Sequence, residues 1–192
     1  IQQLHISEIP REWHKKGDHH LPPDIATAKS LLAAALQGQD MALSSEAGMP
    51  AVADPGSSLV RAAHILGVPV VPLVGPSSIV LALAASGLNG QGFVFHGYLP
   101  QDVQARAQRL QELEKAAHKT GQSQWWIETP YRNAATLQTM LKVLQPNTLV
   151  SIASGLTLEQ MQINTNTVAM LRQQNCQYGE KLPAVFGLGK GA

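Results

Sequence analysis

The chain has 192 residues, of which 44% are hydrophobic and 14% charged, and its formal net charge is +1. This length allows one domain or two small ones, and the near-zero net charge gives no overall electrostatic attraction to nucleic acid. The single cysteine, Cys176, excludes an internal disulfide and suits the reducing cytoplasm, where we expect the protein. No apolar run reaches the roughly 18 residues of a membrane span, and no signal peptide is visible.

The first half of the chain predicts helices that alternate with short apolar strands. Asp24 follows two prolines and opens a helix that ends at Gly38. The apolar segments DMALSS and VPVVPLV predict two strands. The helices predicted after these strands are SSLVRAAHILG and GPSSIVLALAASGL.

The second half repeats this alternation. Its predicted strands are GFVFHGYL, QWWIE, TLVSIAS, the edge strand MQINTNTV and PAVFGLG. Its predicted helices are VQARAQRLQELEKAAHKTG, PYRNAATLQTMLKVLQ and TVAMLRQQ. Strands alternating with helices predict an α/β fold, with two α/β units at residues 1–75 and 76–192 and mostly parallel or mixed sheets. Alternation within QWWIE predicts that Trp125 and Trp126 each bury their ring in a different layer.

Four loops follow predicted strands and concentrate glycine, proline, serine and charged residues. In open α/β sheets, ligands collect beyond the carboxyl ends of the strands. We therefore predict that a binding site is built from these loops. They are SEAGMPAVADPG at 45–56, GPSS at 75–78, ETPYR at 128–132 and ASGLT at 153–157.

These loops, in this order, resemble the tetrapyrrole methylase family, whose members transfer a methyl group from S-adenosylmethionine. The branch that methylates ribose 2′-oxygens of small-subunit ribosomal RNA has S-D-A-G-T-P and D-P-G, where this chain has SEAGMP and ADPG. It also has P-G-P-S-A and a later S-G-L, which GPSSIVLALAASGL resembles. Three further segments match it: IETPYR resembles Y-E-S-x-H-R, GYLP resembles G-F-L-P, and Tyr178-Gly179-Glu180 resembles a late G-E.

Several departures separate this chain from that branch. Glu46 stands in place of an aspartate, and ASGLTL replaces A-R-E-L-T-K, with the loss of charged residues. The sequence ends at Ala192 without the C-terminal helical extension of the ribosomal enzymes, so it resembles a shorter sub-branch. The family's first strand and its P-x-x-G-N-L-type loop find no match, and we expect that this segment is missing before Ile1.

The resemblance implies that S-adenosylmethionine lies in a cleft between the two units and that the protein is a homodimer. It implies substrate contacts for His20 and for Arg132, which would hold an anionic group. It identifies no catalytic residue. The cofactor contacts that it implies are Glu46, Ala47, Gly48, Met49, Pro50, Ser77, Ser78, Glu128, Thr129, Pro130, Ala153 and Leu156.

Each of these loops also has a purely structural interpretation. Asp54 is typical of a cap for the helix that follows it, and we favour this role. Ser77 or Ser78 and Thr129 are equally suited to capping the next helices. For Arg132 we favour a solvated position on a helix, because one arginine is weak support for a substrate site.

Metal and phosphate sites find no support in the sequence. No cysteine, histidine or carboxylate cluster has metal-ligand spacing, so we predict no metal. No G-x-G-x-x-G follows an early strand, and no G-x-S-x-G nucleophile elbow is present. The predicted function is an S-adenosylmethionine-dependent methyltransferase, for which the resemblance suggests ribosomal RNA as the acceptor. The alternatives are a small-molecule acceptor or a catalytically inert, cofactor-binding dimeric scaffold.

Overall fold

A computed structural model describes residues 5–10, 13, 24–174 and 182–191. The chain divides into two compact units, Ile1–Ser77 and Ser78–Ala192. Within the described ranges, no helix has both the length and the apolar character needed to cross a membrane.

Described residues of the first unit form three helices: α1 (Ile25–Leu31), α2 (Ala33–Leu36) and α3 (Ser57–Ile65). The predicted start at Asp24 is confirmed, since its carboxylate accepts hydrogen bonds from the backbone amides of Ala26 and Thr27. This interaction satisfies two amides that have no partner within the helix. Helix α1 packs against α3, and each helix has one fully buried alanine, Ala28 and Ala62.

The two strands predicted in the first unit are absent from its described residues. Neither DMALSS nor VPVVPLV pairs with another described segment. A strand depends on a hydrogen-bonded neighbour, and Pro69 and Pro72 remove two amide donors from the second segment. The side chains of Val71, Leu73 and Val74 are 76%, 79% and 106% exposed. The apolar composition was correctly identified, but both strand predictions are wrong.

The described residues of the second unit form one five-stranded mixed sheet in the order β1-β2-β5-β3-β4. Strands β1 and β2 are parallel, whereas the β2–β5, β3–β5 and β3–β4 pairs are antiparallel. The α/β class is confirmed in its mixed form, and the polar strand β4 lies at an edge as predicted. The strands are β1 (Phe93–Tyr98), β2 (Ser123–Glu128), β3 (Leu149–Ser154), β4 (Gln162–Thr167) and β5 (Ala184–Gly189).

Helices of the second unit surround this sheet. They are α4 (Ser78–Ser86), α5 (Val103–Thr120), α6 (Asn133–Val143), α7 (Val168–Gln173) and a 3-10 turn at Pro130–Arg132. The Asp102 carboxylate accepts a hydrogen bond from the Ala105 amide and so begins α5. Gly121 ends α5 with a left-handed φ of 74°, which glycine adopts without strain.

Both faces of the sheet are buried, and the two tryptophans lie on opposite faces as predicted. Trp126 stacks with Phe186, at a centroid distance of 6.0 Å, in the core beneath α5, α6 and α7. Trp125 packs on the other face with α4 residues such as Leu83. A Cβ at Gly187 would lie 2.6 Å from the Trp125 ring, so this position requires glycine. The core therefore sits on both sides of the central strand β5.

Candidate functional site

The loop at 45–56 in the first unit is closed by its own hydrogen bonds. The Ser45 hydroxyl donates to the Asp54 carboxylate at 2.5 Å, and the Ala47 amide donates to the Ser45 hydroxyl at 3.3 Å. The prediction that Asp54 caps α3 is wrong, because Gly56 is the cap residue, with a φ of 129°. Asp54 instead accepts the hydrogen bond from Ser45, and this bond joins the two ends of the loop.

The backbone of this loop is held in unusual conformations. Ala51 and Ala53 have φ values of 63° and 58°, and Gly48 has a φ of 88°. A left-handed conformation costs a residue with a Cβ roughly 1–2 kcal/mol. The amide of Ala51 donates to the Pro55 carbonyl at 3.1 Å, which helps to hold this geometry. Strained backbone concentrates at ligand sites, so the loop geometry favours a binding role over that of a simple connection.

The predicted cofactor residues of the first unit are exposed or half-buried. Glu46, Ala47 and Gly48 are exposed, whereas Met49 and Pro50 are half-buried. The structure brings this loop close to the GPSS segment, because a Cβ at Gly75 would lie 3.8 Å from the Met49 side chain. Ser77 ends the first unit and is half-buried.

In the second unit, several predicted residues lie at one end of the central strands, where β2 and β3 end and β5 begins. Glu128 of β2 and Ser154 of β3 both pair with Ala184, the first residue of β5 between them. Glu128 and Ser154 are 3% and 1% exposed. Ala153 points to the opposite face and packs in the Trp125 core. Leu156 also packs against that core, and Ser78, exposed, is the first residue of α4.

Several polar atoms at this edge are buried without a hydrogen-bond partner among the described residues. They include the second carboxylate oxygen of Glu128, the hydroxyls of Thr129 and Ser154, and Nε of Arg132. Pro130 begins the 3-10 turn as its position predicts, but Thr129 makes no capping hydrogen bond, so that alternative is wrong. Buried polar groups are normally paired, so these atoms are suited to bonds with a ligand.

Glu128 is the charged centre of this edge. Its Oε1 accepts hydrogen bonds from Arg132 Nη2 at 3.1 Å and from the Thr136 hydroxyl at 3.0 Å. Burial raises the pKa of Glu128 above its usual value, opposed by the hydrogen bond from Thr136 and the charge of Arg132. The side chain of Arg132 is only 12% exposed, so the favoured interpretation of a solvated helix position is wrong.

Sequence reasoning missed Arg106, which takes part in the same network. This side chain is 4% exposed, although its helix has a strongly charged pattern. Its Nη1 donates to the Gln101 carbonyl at 3.2 Å, and its Nε donates to the Thr139 hydroxyl at 3.3 Å. No local signal distinguishes Arg106 from the solvated residues of α5, because its partners lie on other elements.

Two sequence-predicted features lie outside the described residues: the substrate residue His20 and the Tyr178-Gly179-Glu180 segment. The described ranges contain no group of three or more histidine, cysteine or acidic side chains that could hold a metal ion.

Comparisons with known proteins place this chain among enzymes of one family. Residues 8–171 match the model of the Tetrapyrrole (Corrin/Porphyrin) Methylases. A ribosomal RNA small subunit methyltransferase I of Vibrio cholerae is 40% identical over 130 residues, which are 68% of this chain and 44% of that protein. The same-named protein of Xylella fastidiosa is 33% identical over 155 residues, 81% of this chain and 55% of that protein. The chain therefore spans about half the length of these curated relatives.

Solved structures show the same fold at lower identity. The methyltransferase CobJ is 17% identical with a TM-score of 0.55, and the match covers 87% of this chain and 71% of that one. A uroporphyrin-III C-methyl transferase from Thermus thermophilus, complexed with S-adenyl homocysteine, is 16% identical with a TM-score of 0.50. That match covers 86% of this chain and 73% of the solved one.

Proposed function

Because the chain belongs to the tetrapyrrole methylase family, we propose that it is an S-adenosylmethionine-dependent methyltransferase. The observation that supports this most directly is the exposed loop at 45–56. A hydrogen bond between Ser45 and Asp54 closes this loop, and its backbone is strained at Ala51 and Ala53. Family membership supports the reaction class, and the geometry of this loop supports the proposal that it contacts the ligand.

The chain's polar groups fit this cofactor. S-adenosylmethionine has hydroxyl, amino and carboxylate groups, and when bound it supplies an electrophilic methyl group on a sulfonium. The exposed carboxylate of Glu46 is suited to accept a hydrogen bond from a hydroxyl or amino group. Methyl transfer of this kind relies mainly on alignment of the reacting atoms, so Glu46 acts as a positioning group.

We further propose an RNA acceptor, supported by the curated relatives, which are named as ribosomal RNA methyltransferases. The homodimer and the cytoplasmic location expected from the sequence belong to the same proposal. Light scattering of the purified chain tests the dimer, and a single species with the mass of one chain would contradict it.

Calorimetric titration of S-adenosylmethionine and S-adenosylhomocysteine into the chain tests the proposed function. We expect micromolar binding that Glu46→Gln weakens about tenfold, the factor that corresponds to roughly 1.4 kcal/mol. Asp40→Asn is the matched control, because it removes the same charge from another exposed position of the first unit. Absence of binding at millimolar cofactor would contradict the proposal and favour the inert scaffold.

If the cofactor binds, transfer of radiolabelled methyl groups tests the acceptor. Small-subunit ribosomal RNA, assembled small subunits and a panel of small molecules are offered in parallel. We expect label in the RNA. Label in a small molecule alone would preserve the methyltransferase and overturn the RNA acceptor.

A further inference from the structure

A cavity of about 510 Å³ opens within the second unit, near the carboxyl ends of β1 and β2. Strands β1 and β2 are parallel, so their carboxyl ends lie at the same edge of the sheet. The turn after β1 supplies one wall, with Tyr98 and the residues through Gln101. The turn after β2 supplies the other, with Thr129, Tyr131 and Arg132. The volume lies within the range of small-molecule sites in proteins, roughly 300–1,000 Å³.

Two tyrosines give this cavity its chemical character. Tyr98 and Tyr131 are 58% and 78% exposed, although large aromatic side chains are usually covered in folded proteins. Single exposed aromatic residues need no explanation, but here two line the same cavity. Aromatic side chains of this kind are the usual partners of unstacked nucleobases in proteins that bind single-stranded RNA.

Hydrogen bonds from two largely buried arginines hold the turn that follows β1. Arg132 Nη2 donates to the carbonyl oxygens of Leu99 at 2.8 Å and Pro100 at 3.2 Å. Arg106 Nη1 donates to the next carbonyl, that of Gln101, at 3.2 Å. Three consecutive carbonyls of the turn after Tyr98 thereby accept hydrogen bonds from arginines. Glu128 Oε1 in turn accepts a hydrogen bond from Arg132. A preformed cavity reduces the ordering cost that a ligand would otherwise meet.

The polar lining also suits a nucleotide. Arg132 contributes a guanidinium, and none of the described residues that line the cavity is acidic. The carboxylate that pairs with Arg132, Glu128, is only 3% exposed. A phosphate next to a bound base would therefore meet no exposed acid among the described lining residues. The tyrosine hydroxyls and the Gln101 amide offer the hydrogen-bonding groups that base edges need.

We propose that this tyrosine cavity, defined by Tyr98, Tyr131 and Arg132, receives an unpaired nucleobase of an acceptor RNA by stacking. The inference rests on the proposed function, because the family and its relatives supply the reason to expect RNA. It adds residues that hold the acceptor: Tyr98 and Tyr131 are binding residues, and Arg106 is a positioning residue that acts through the turn carbonyls.

Binding of a fluorescein-labelled, single-stranded RNA oligonucleotide of mixed sequence tests the tyrosine cavity. Fluorescence anisotropy gives the affinity of the wild-type chain and of Tyr98→Ala and Tyr131→Ala. We expect each alanine variant to weaken RNA binding about tenfold, since a stacked base contributes roughly 1–3 kcal/mol. Tyr98→Phe and Tyr131→Phe keep the aromatic ring, and we expect them to retain most of the affinity.

Two controls separate this inference from the proposed function. Phe93→Ala removes another exposed aromatic ring, at the opposite end of β1, and should leave RNA binding unchanged. Calorimetry with S-adenosylmethionine on the same variants reports cofactor binding independently. Intact cofactor binding together with unaltered RNA affinity in both alanine variants would overturn the tyrosine cavity and leave the methyltransferase standing. Cofactor binding that fails in the wild-type chain would overturn the function instead.

A further arm distinguishes RNA from a free nucleotide. Unlabelled adenosine and uridine monophosphates compete against the labelled oligonucleotide. We expect weak competition that disappears in the alanine variants. Tight tyrosine-dependent binding of a monophosphate, without measurable affinity for the oligonucleotide, would overturn the RNA assignment in favour of a small nucleotide.

Discussion

Two apolar segments of this chain were both predicted as strands, but only one of them forms a strand. VPVVPLV, at 68–74 in the first unit, forms no strand, and its side chains lie largely exposed. AVFGLG, at Ala184–Gly189 in the second unit, is the central strand of the sheet and is buried along its whole length. Strand β5 has a hydrogen-bonded neighbour on each side, β2 and β3, whereas the first run has none among the described residues. Apolar character makes a strand possible, but partners decide whether it forms.

The largest expected change in the free energy of unfolding comes from a substitution in the buried strand β5. Phe186→Ala removes a ring that is fully buried and stacked on Trp126. Replacing a core phenylalanine by alanine typically lowers the free energy of unfolding by about 3–5 kcal/mol. Leu73→Ala is the matched control in the exposed run and should change it by less than about 0.5 kcal/mol. Urea denaturation followed by tryptophan fluorescence measures both, and equal losses would contradict the contrast between the runs.

A second change tests the close packing of β5 against its neighbour. Gly187→Ala places a methyl group 2.6 Å from the Trp125 ring, which must shift. Overpacking of this kind costs about 1–3 kcal/mol. Thermal unfolding should show a lowered midpoint together with altered tryptophan fluorescence. Gly90→Ala is the matched control, because a Cβ at this exposed glycine would meet nothing within 4 Å and its φ is not left-handed. An unchanged midpoint for Gly187→Ala would contradict this prediction, because the Trp125 ring would then shift without loss of stability.

A third prediction concerns the pH dependence at the edge of the sheet. Burial raises the pKa of Glu128, so the folded chain binds this proton more tightly than the unfolded chain does. The resulting stabilisation is fully present below the unfolded pKa and is lost as the pH rises through the folded pKa. Denaturation of the wild type and of Glu128→Gln should therefore favour the wild type increasingly as the pH falls.

Glu112→Gln controls for acid effects in general, because Glu112 belongs to an exposed ion pair with Arg109. A wild-type advantage over Glu128→Gln that stays constant with pH, or grows with rising pH, would show that the charge of Arg132 dominates the burial of Glu128.

The smallest expected effect tests the exposed run directly. Val71→Lys places a charge on a side chain that is already 76% exposed, so the free energy of unfolding should change by less than about 0.5 kcal/mol. Val185→Lys is the opposite case, because its side chain is 3% exposed in the core of the sheet. A loss of several kcal/mol on Val71→Lys would reveal that this run is covered in solution.

The sequence by itself determined the elements whose signals are local. The carboxylate at Asp24 opens α1 as predicted, and the alternation in QWWIE places Trp125 and Trp126 on opposite faces of the sheet. All five strands of the second unit coincide with predicted segments. Family membership also followed from motifs read along the chain, because a loop motif is a local pattern.

Only the tertiary structure decided what depends on distant partners. Asp54 was predicted to cap α3, yet it bonds Ser45, nine residues earlier. Arg106 and Arg132 look like ordinary helix charges, yet they meet the carbonyls of one turn, 5 and 33 residues away in sequence. The exposure of Tyr98 and Tyr131 on one cavity is equally a product of folding. These hydrogen bonds and this cavity form between residues that the fold brings together. No local sequence pattern therefore predicts them.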